Sequence, residues 1–214
     1  MRFGFILWDF NGTLLDDLRT GIDVENTMLA RRGMPTLQSV ADYYRVFGFP
    51  IRDYYVRLGY DFTRESYEAL AVEFSALYRA YEPTAPLREG VREAVEGFRR
   101  LGIPQSVLSA SERGILTEQL SRRGLDGMFE EVLALDNDHA DSKAHLAIRW
   151  RQRHPDVQAL LIGDTDHDAA VAREAGICCV LVEGGHQGAD ALSRCGVPVC
   201  PDIPAVYRWC VTQP

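Results

Sequence analysis

The sequence predicts an α/β fold, a Rossmann-like parallel sheet core interrupted by an inserted α-helical segment. Three observations lead there. Short apolar runs alternate along the chain with amphipathic stretches of helical period, the pattern of a sheet covered by helices on both faces. The runs are apolar at successive positions, as strands buried on both faces are. One long stretch, from Leu15 to about Leu87, keeps helical periodicity and has no convincing buried strand.

The elements follow in order. Phe3–Trp8 is the first apolar run and predicts the first strand. In the helical stretch, Leu18, Ile22, Met28 and Leu29 mark a helix that ends at Gly33 and Pro35. Leu37, Val40, Tyr44 and Phe47 mark a second, and Ile51, Tyr54, Tyr55 and Leu58 a third. Leu70, Phe74, Leu77 and Tyr81 mark a long fourth, expected to be capped near Thr63, and "YEPTAP" reads as a linker. Val91–Leu101 is then a helix stopped by Gly102 and Pro104. The remaining strands are Gln105–Ser109, Glu131–Leu135, Ala159–Gly163 and Ile177–Val182. The helices between and after them are Glu112–Arg123, Ser142–Arg153, Asp168–Ala175 and Ile203–Val211. The expected division is a core of residues 1–14 and 86–214 and a helical insertion of residues 15–85.

Composition narrows the function classes. A chain of 214 residues with a formal net charge of −8 lacks the basic footprint of a nucleic-acid binder. The apolar run before Asp9 is too short for a signal peptide or a membrane span, so neither a membrane nor a nucleic acid is expected as partner. The five cysteines are odd in number, fall in the last quarter of the chain and show no CxxC metal spacing. They read as reduced thiols of a cytoplasmic protein. Adjacent Cys178 and Cys179 lie in a strand run, so their side chains point to opposite faces. Of 23 basic residues, Lys143 is the single lysine. A chain so biased to arginine keeps a lysine by chance or where a compact point charge is required. No feature of the sequence sets the oligomeric state.

In an open parallel sheet, ligands bind beyond the carboxyl ends of the strands. Polar residues fall at four such ends: Asp9, Asn11 and Thr13 after the first, Ser109 at the second, Lys143 after the third, and Asp164 and Asp168 after the fourth. Singly, each has an ordinary explanation. Asn11-Gly12 is a turn signal, Ser109 a helix cap, Lys143 a solvated lysine, and the 164–168 acids a helix-start cluster. Together they are a nucleophilic carboxylate, a hydroxyl, a cation and an acidic pair, the set that metal-assisted phosphoryl transfer needs.

With these residues in order, the chain resembles the haloacid-dehalogenase-superfamily hydrolases, in the phosphoglycolate-phosphatase-like branch with a helical cap. The likeness covers essentially the whole chain. The D-x-D-G-T motif is matched by Asp9-Phe10-Asn11-Gly12-Thr13, the strand-end hydroxyl by Ser109, the lysine by Lys143, and G-D-x-x-x-D by Gly163-Asp164-Thr165-Asp166-His167-Asp168. The resemblance implies a Mg²⁺-dependent phosphatase that hydrolyses a small phosphorylated metabolite through an aspartyl-phosphate on Asp9. It implies that Asp9, the backbone carbonyl of Asn11 and Asp164 hold Mg²⁺, with Asp168 orienting the metal's waters. It implies that Ser109 and Lys143 bind the phosphoryl oxygens, with Gly12 and Thr13 beside them.

Two departures stand out. Ala144-His145 follows Lys143 in place of a proline-bearing stretch. More seriously, Asn11 occupies the place of the aspartate that protonates the leaving oxygen and later activates water. An amide has no titratable proton near neutral pH, although it retains hydrogen-bond donors and a backbone carbonyl. Losing such a group costs typically ~10²–10⁴-fold. Four readings answer this: a phosphatase for substrates with good leaving groups, another proton donor such as His167, a catalytically weak or inactive phosphate-binding regulatory module, or an engineered trap. Dehalogenation at carbon does not need the Asp164/Asp168 pair, and a cap-lysine Schiff base is excluded because the cap has no lysine. A phosphoryl mutase depends even more on the missing acid–base group. For the cap, Arg45, Arg52, Arg57, Tyr54 and Tyr55 are candidates to face the substrate, with Arg52 taken as an anion binder. His186, in "EGGH", is expected in a surface loop.

Overall fold

The computed structural model describes residues 3–136 and 142–213. Its elements, in chain order, are β1 (Phe5–Trp8), α1 (Leu18–Arg31), α2 (Val40–Val46), α3 (Ile51–Leu58), α4 (Tyr67–Tyr81), α5 (Val91–Arg100), β2 (Gln105–Glu112), α6 (Arg113–Arg122), β3 (Val132–Leu135), α7 (Lys143–Arg153), β4 (Ala159–Gly163), α8 (Asp166–Ala175), β5 (Cys178–Val182), α9 (Ala189–Leu192), β6 (Val199–Cys200) and α10 (Ile203–Thr212). The strands form one parallel sheet in the order β3-β2-β1-β4-β5-β6. β1 is central, with Trp8 opposite Val107 on one side and Ile162 on the other. Short β6 adds an edge that the sequence pattern does not announce, because two residues carry no periodicity.

Period-two alternation distributes the strand side chains between two cores. Ile6, Trp8, Val107, Ile162 and Val180 pack on one face with Val95 and Phe98 of α5, Leu116 of α6 and Val206 of α10. Phe5, Leu7, Leu108, Leu161 and Cys179 pack on the other with Trp150 of α7 and Val171 of α8. Cys178 is exposed and Cys179 buried, as alternation requires, and all five cysteines are unpaired.

The helical stretch has its own apolar clusters. Val24, Met28 and Leu29 of α1 meet Tyr55, Tyr60 and Leu70, while Ile22 meets Tyr43 and Tyr54. The chain leaves and re-enters the sheet at one place: Asp16 N donates to Pro86 O at 2.9 Å and Arg88 N to Leu14 O at 2.9 Å. α4 starts later than the expected Thr63. Ser66 is its N-cap, its hydroxyl accepting from Ala69 N at 3.2 Å. The "YEPTAP" segment is more than a linker. It makes a short 3-10 turn, Glu82–Thr84, and buried Glu82 pairs with Arg122 of α6 at 3.0 Å. Among the described residues, no helix is long and apolar enough to cross a membrane.

Candidate active site

The carboxyl ends of β1, β2 and β4, with the start of α7, converge on one buried cluster. Asp9 follows β1 directly, its N–H held by Ile162 O at 2.9 Å. Lys143, the first residue of α7, is buried, and its ammonium donates to both Asp9 Oδ1 and Asp168 Oδ1. Asp168 plays a second part at the start of α8. Its other oxygen accepts from Thr165 N at 3.0 Å and Thr165 Oγ1 at 2.7 Å. The helix-start and site readings of this aspartate therefore hold together, one carboxyl oxygen serving each. Asp164 accepts from Thr13 Oγ1 at 3.0 Å and from His186 N at 2.6 Å.

Asp9, Asp164 and Asp168 each offer an oxygen, all within 4.8 Å of one another. Of these three buried carboxylates, two, Asp9 and Asp168, share the ammonium of Lys143. Burial, against the pull of Lys143 and with the repulsion of Asp168 and Asp164, holds Asp9 well above the usual carboxylate range. Burial and Asp168 likewise hold Asp164 above it, despite His186. Burial opposes charge on Lys143, but Asp168 and Asp9 more than offset it and raise its pKa. The cluster thus has more hard oxygen donors than positive charge to balance them, and the donor set fits a divalent cation such as Mg²⁺. Two glycines leave room for Asp164. A Cβ at Gly12, whose φ is +73°, or at Gly185 would each come within 2.2 Å of Asp164 Oδ2.

The register of β2 shifts against β3 between Leu108 and Glu112. This irregularity brings Ser109 and Ser111 to the site, as a bulge re-aims side chains. Ser109 Oγ accepts from Ser111 N at 3.1 Å, and Ser111 Oγ donates to Asn11 Oδ1 at 3.4 Å. Ser109, Ser111, Lys143 and the three aspartates all line a cavity of about 410 Å³ between the sheet edge and the helical segment.

Asn11 is held by a partner that sequence reasoning missed. Its amide Nδ2 donates to Asp17 Oδ2 at 2.8 Å and to Tyr78 Oη at 2.7 Å. Both amide N–H groups are thereby engaged. The donors that the amide retains are spent on these two contacts. The opposite amide orientation would set Oδ1 against a carboxylate, so the orientation follows from the hydrogen bonds. Asp17 also accepts from Tyr78 Oη at 2.5 Å and from Gly12 N at 2.7 Å, and its Oδ1 lies 3.1 Å from His186 Nε2. Tyr43 Oη is 2.9 Å from His186 Nδ1. Burial opposes charge on both partners, yet Asp17 is pulled below its usual range by His186, and His186 is raised to about 9 by Asp17 and Asp164.

Several expectations change with these contacts. His186 is a buried member of the site, not a surface-loop residue. Gly12 spends its N–H on Asp17, and the Thr13 hydroxyl is spent on Asp164. Neither lines the cavity, and each supports a carboxylate of the site. Arg52 stacks over the Phe62 ring at 4.4 Å and does not line the cavity. Its guanidinium rests over the aromatic pair Phe62 and Tyr67 instead of facing the cavity. Arg45 pairs with Asp42 at 3.0 Å and Arg57 donates to Val46 O at 2.5 Å, also off the cavity. Tyr54 and Tyr55 do line it. His167 stacks on Phe49 with ring centroids 4.5 Å apart and lines it too.

Comparison with known proteins agrees with this geometry. The family profile described as haloacid dehalogenase-like hydrolase matches residues 6–182. A phosphoglycolate phosphatase of Synechococcus elongatus is 24% identical over 212 residues, covering 97% of this chain and 97% of that protein. One of Pseudomonas syringae pv. tomato is 25% identical over 213 residues, covering 94% of this chain and 74% of that protein. Among solved structures, a haloacid dehalogenase-like family hydrolase of Streptococcus pneumoniae superposes with a TM-score of 0.81 at 19% identity, covering 99% of both chains.

Proposed function

Since the chain belongs to the haloacid dehalogenase-like hydrolases, we propose that it is a divalent-metal-dependent phosphatase in which Asp9 attacks the phosphorus of a small phosphorylated metabolite. One observation carries the reading: Asp9, Asp164 and Asp168 crowd together at the carboxyl edge of the sheet, buried, with Lys143 bonded to Asp9 and Asp168. The relatives' name supports phosphate-ester hydrolysis. Asp9, Asp164, Asp168 and the backbone carbonyl of Asn11 would hold Mg²⁺. When bound, it supplies positive charge that offsets repulsion between these carboxylates and an approaching phosphate.

In the first step a carboxylate oxygen of Asp9 bonds to phosphorus, and the ester P–O bond breaks with its electron pair leaving on the organic oxygen. In the second step water bonds to phosphorus, the P–O bond to Asp9 breaks, and the water's protons leave on the phosphate. Lys143 neutralises Asp9 and Asp168 and presents its ammonium to the phosphoryl oxygens, joined by Ser109. Asn11 cannot supply the leaving oxygen with a proton, so the chemistry favours leaving groups that depart as stable anions. The helical segment of residues 15–85 serves as a cap that encloses the substrate. The reduced cysteine set supports a cytoplasmic location.

The engaged amide of Asn11 also favours a second reading, a catalytically weak or inactive phosphate-binding module on the same fold. Phosphate release from acetyl phosphate, with Mg²⁺ and with EDTA, separates the two. The enzyme reading expects turnover that EDTA abolishes and that Asp9→Asn lacks. Release no greater than that of Asp9→Asn would favour the binding module.

A further inference from the structure

We propose that the substrate is an aryl phosphate, its ring seated in the aromatic wall of the cap, and that the site rejects leaving groups carrying a second anion. This rests on the phosphatase reading and names its substrate class. The helical segment's share of the cavity lining includes the aromatic residues Tyr43, Phe47, Phe49, Tyr54, Phe74 and Tyr78. Among the described residues no arginine lines the cavity, and Lys143, its one lysine, is bonded to Asp9 and Asp168 at the phosphoryl end. His186 has Asp17 and Tyr43 on its two ring nitrogens. His167 is stacked on Phe49, with ring centroids 4.5 Å apart. A carboxylate on the leaving group would therefore be enclosed by rings with no arginine or free lysine beside it, an expensive burial. Asp17, another lining residue, would repel it as well.

An aromatic ring meets the opposite situation. It gains apolar burial and offset or edge contacts with the same side chains. The cavity of about 410 Å³ exceeds what a two-carbon phosphate fills; at about 30 Å³ each, it corresponds to roughly a dozen waters. Asn11 adds an independent argument. Both N–H groups of its amide are engaged, so no proton or hydrogen bond from that side chain assists departure of the ester oxygen. A phenol, with pKa near 10 like the tyrosine side chain, leaves as its anion far more readily than an alcohol. Cavity wall and proton chemistry thus select the same class.

The test pairs binding with turnover on Mg²⁺-loaded protein. Calorimetry with 1-naphthylphosphonate and phosphonoacetate, neither of which can be hydrolysed, reads the cavity alone. Naphthylphosphonate is expected to bind roughly 50-fold or more tighter, the scale of burying an aromatic ring. Phosphonoacetate binding equally well or better would overturn the inference and leave the phosphatase reading standing. Phe49→Leu and Phe74→Leu should each weaken naphthylphosphonate more than inorganic phosphate, with folding checked by thermal melting. If both folded variants keep wild-type affinity for naphthylphosphonate, the ring is not seated on this wall and the inference fails. In turnover, kcat/KM for phenyl phosphate should exceed that for 2-phosphoglycolate by a similar factor or more, and the reverse order would overturn the inference. No phosphate release from phenyl, acetyl or glycolate phosphates would instead overturn the phosphatase reading, and with it the claim of aryl turnover.

Discussion

Replacing Asn11 by aspartate probes the site most directly. The substitution is nearly isosteric, and the new carboxyl would take the place of an amide nitrogen 2.8 Å from Asp17 Oδ2. If both carboxyls were ionised at that separation, their repulsion would be roughly 6 kcal/mol at an effective dielectric constant of about 20. That exceeds the cost of retaining one proton, so the pair holds a proton between its members. Asp17 is the member kept ionised, because His186 lies 3.1 Å from it and its pKa is already depressed. The proton therefore resides on position 11, where a leaving oxygen needs it. The expected gain in kcat/KM for an alkyl phosphate such as ethyl phosphate is ~10²-fold, the low end for a positioned acid. That corresponds to a barrier about 2.7 kcal/mol lower. Phenyl phosphate, whose leaving group needs no proton, should gain much less. The alkyl gain should be full at low pH and fade as pH rises through the pKa of the new carboxyl, which must be protonated to act. Released phosphate, measured for both substrates across pH, decides it. No alkyl gain, or equal gains for both substrates, would refute the assignment of position 11 as the empty acid slot. Intact mass must show an amide in the starting protein, since Asn-Gly deamidates readily. Here the Gly12 nitrogen that would attack the amide is held by Asp17 at 2.7 Å, so little deamidation is expected while the protein is folded.

Other expectations follow from the same contacts. Mg²⁺ should raise the melting temperature, and at 100 times its Kd the stabilisation is about 2.7 kcal/mol; an equal shift in Asp164→Ala would contradict the metal assignment. Gly185→Ala drives a methyl to within 2.2 Å of Asp164 Oδ2, and should cost ~1–3 kcal/mol in stability as an overpacked site. It should also abolish the Mg²⁺-induced rise in melting temperature, and a retained wild-type shift would show that Asp164 is not a ligand. Burial, opposed by hydrogen bonds from Tyr60 and Tyr54, raises Glu25 in the cap to about 7. The folded state thus holds a proton that the unfolded chain gives up near 4.5, and stability falls as pH rises between these values, by on the order of 3 kcal/mol from this group. Glu25→Gln should melt higher than wild type at pH 8 and close to it at pH 4, and an unchanged difference between the two pH values would count against the raised pKa.

Much of the site could be read before folding because its residues sit where strands end. Asp9, Ser109, Asp164 and Asp168 were legible from apolar runs that stop at polar residues, and strand alternation placed the two cores and the faces of Cys178 and Cys179. Lys143 was legible from composition, as the one lysine in a chain that otherwise uses arginine. These are local or one-dimensional signals. The partners of Asn11 are neither. Tyr78 lies 67 residues from it, and His186 lies 169 residues from Asp17. No motif or period relates them, and only packing of the helical segment against the sheet edge brings them together. The direction of the cap arginines was equally hidden. Sequence placed Arg52 on a helix, but two aromatic rings, Phe62 and Tyr67, decide where its guanidinium rests. Period and strand ends thus set out the sheet, Asp9 and the acidic cluster, because those depend on neighbours in sequence. Tertiary structure alone decided which hydrogen bonds occupy Asn11 and what lines the cavity, because contacts between distant segments depend on the whole chain's packing.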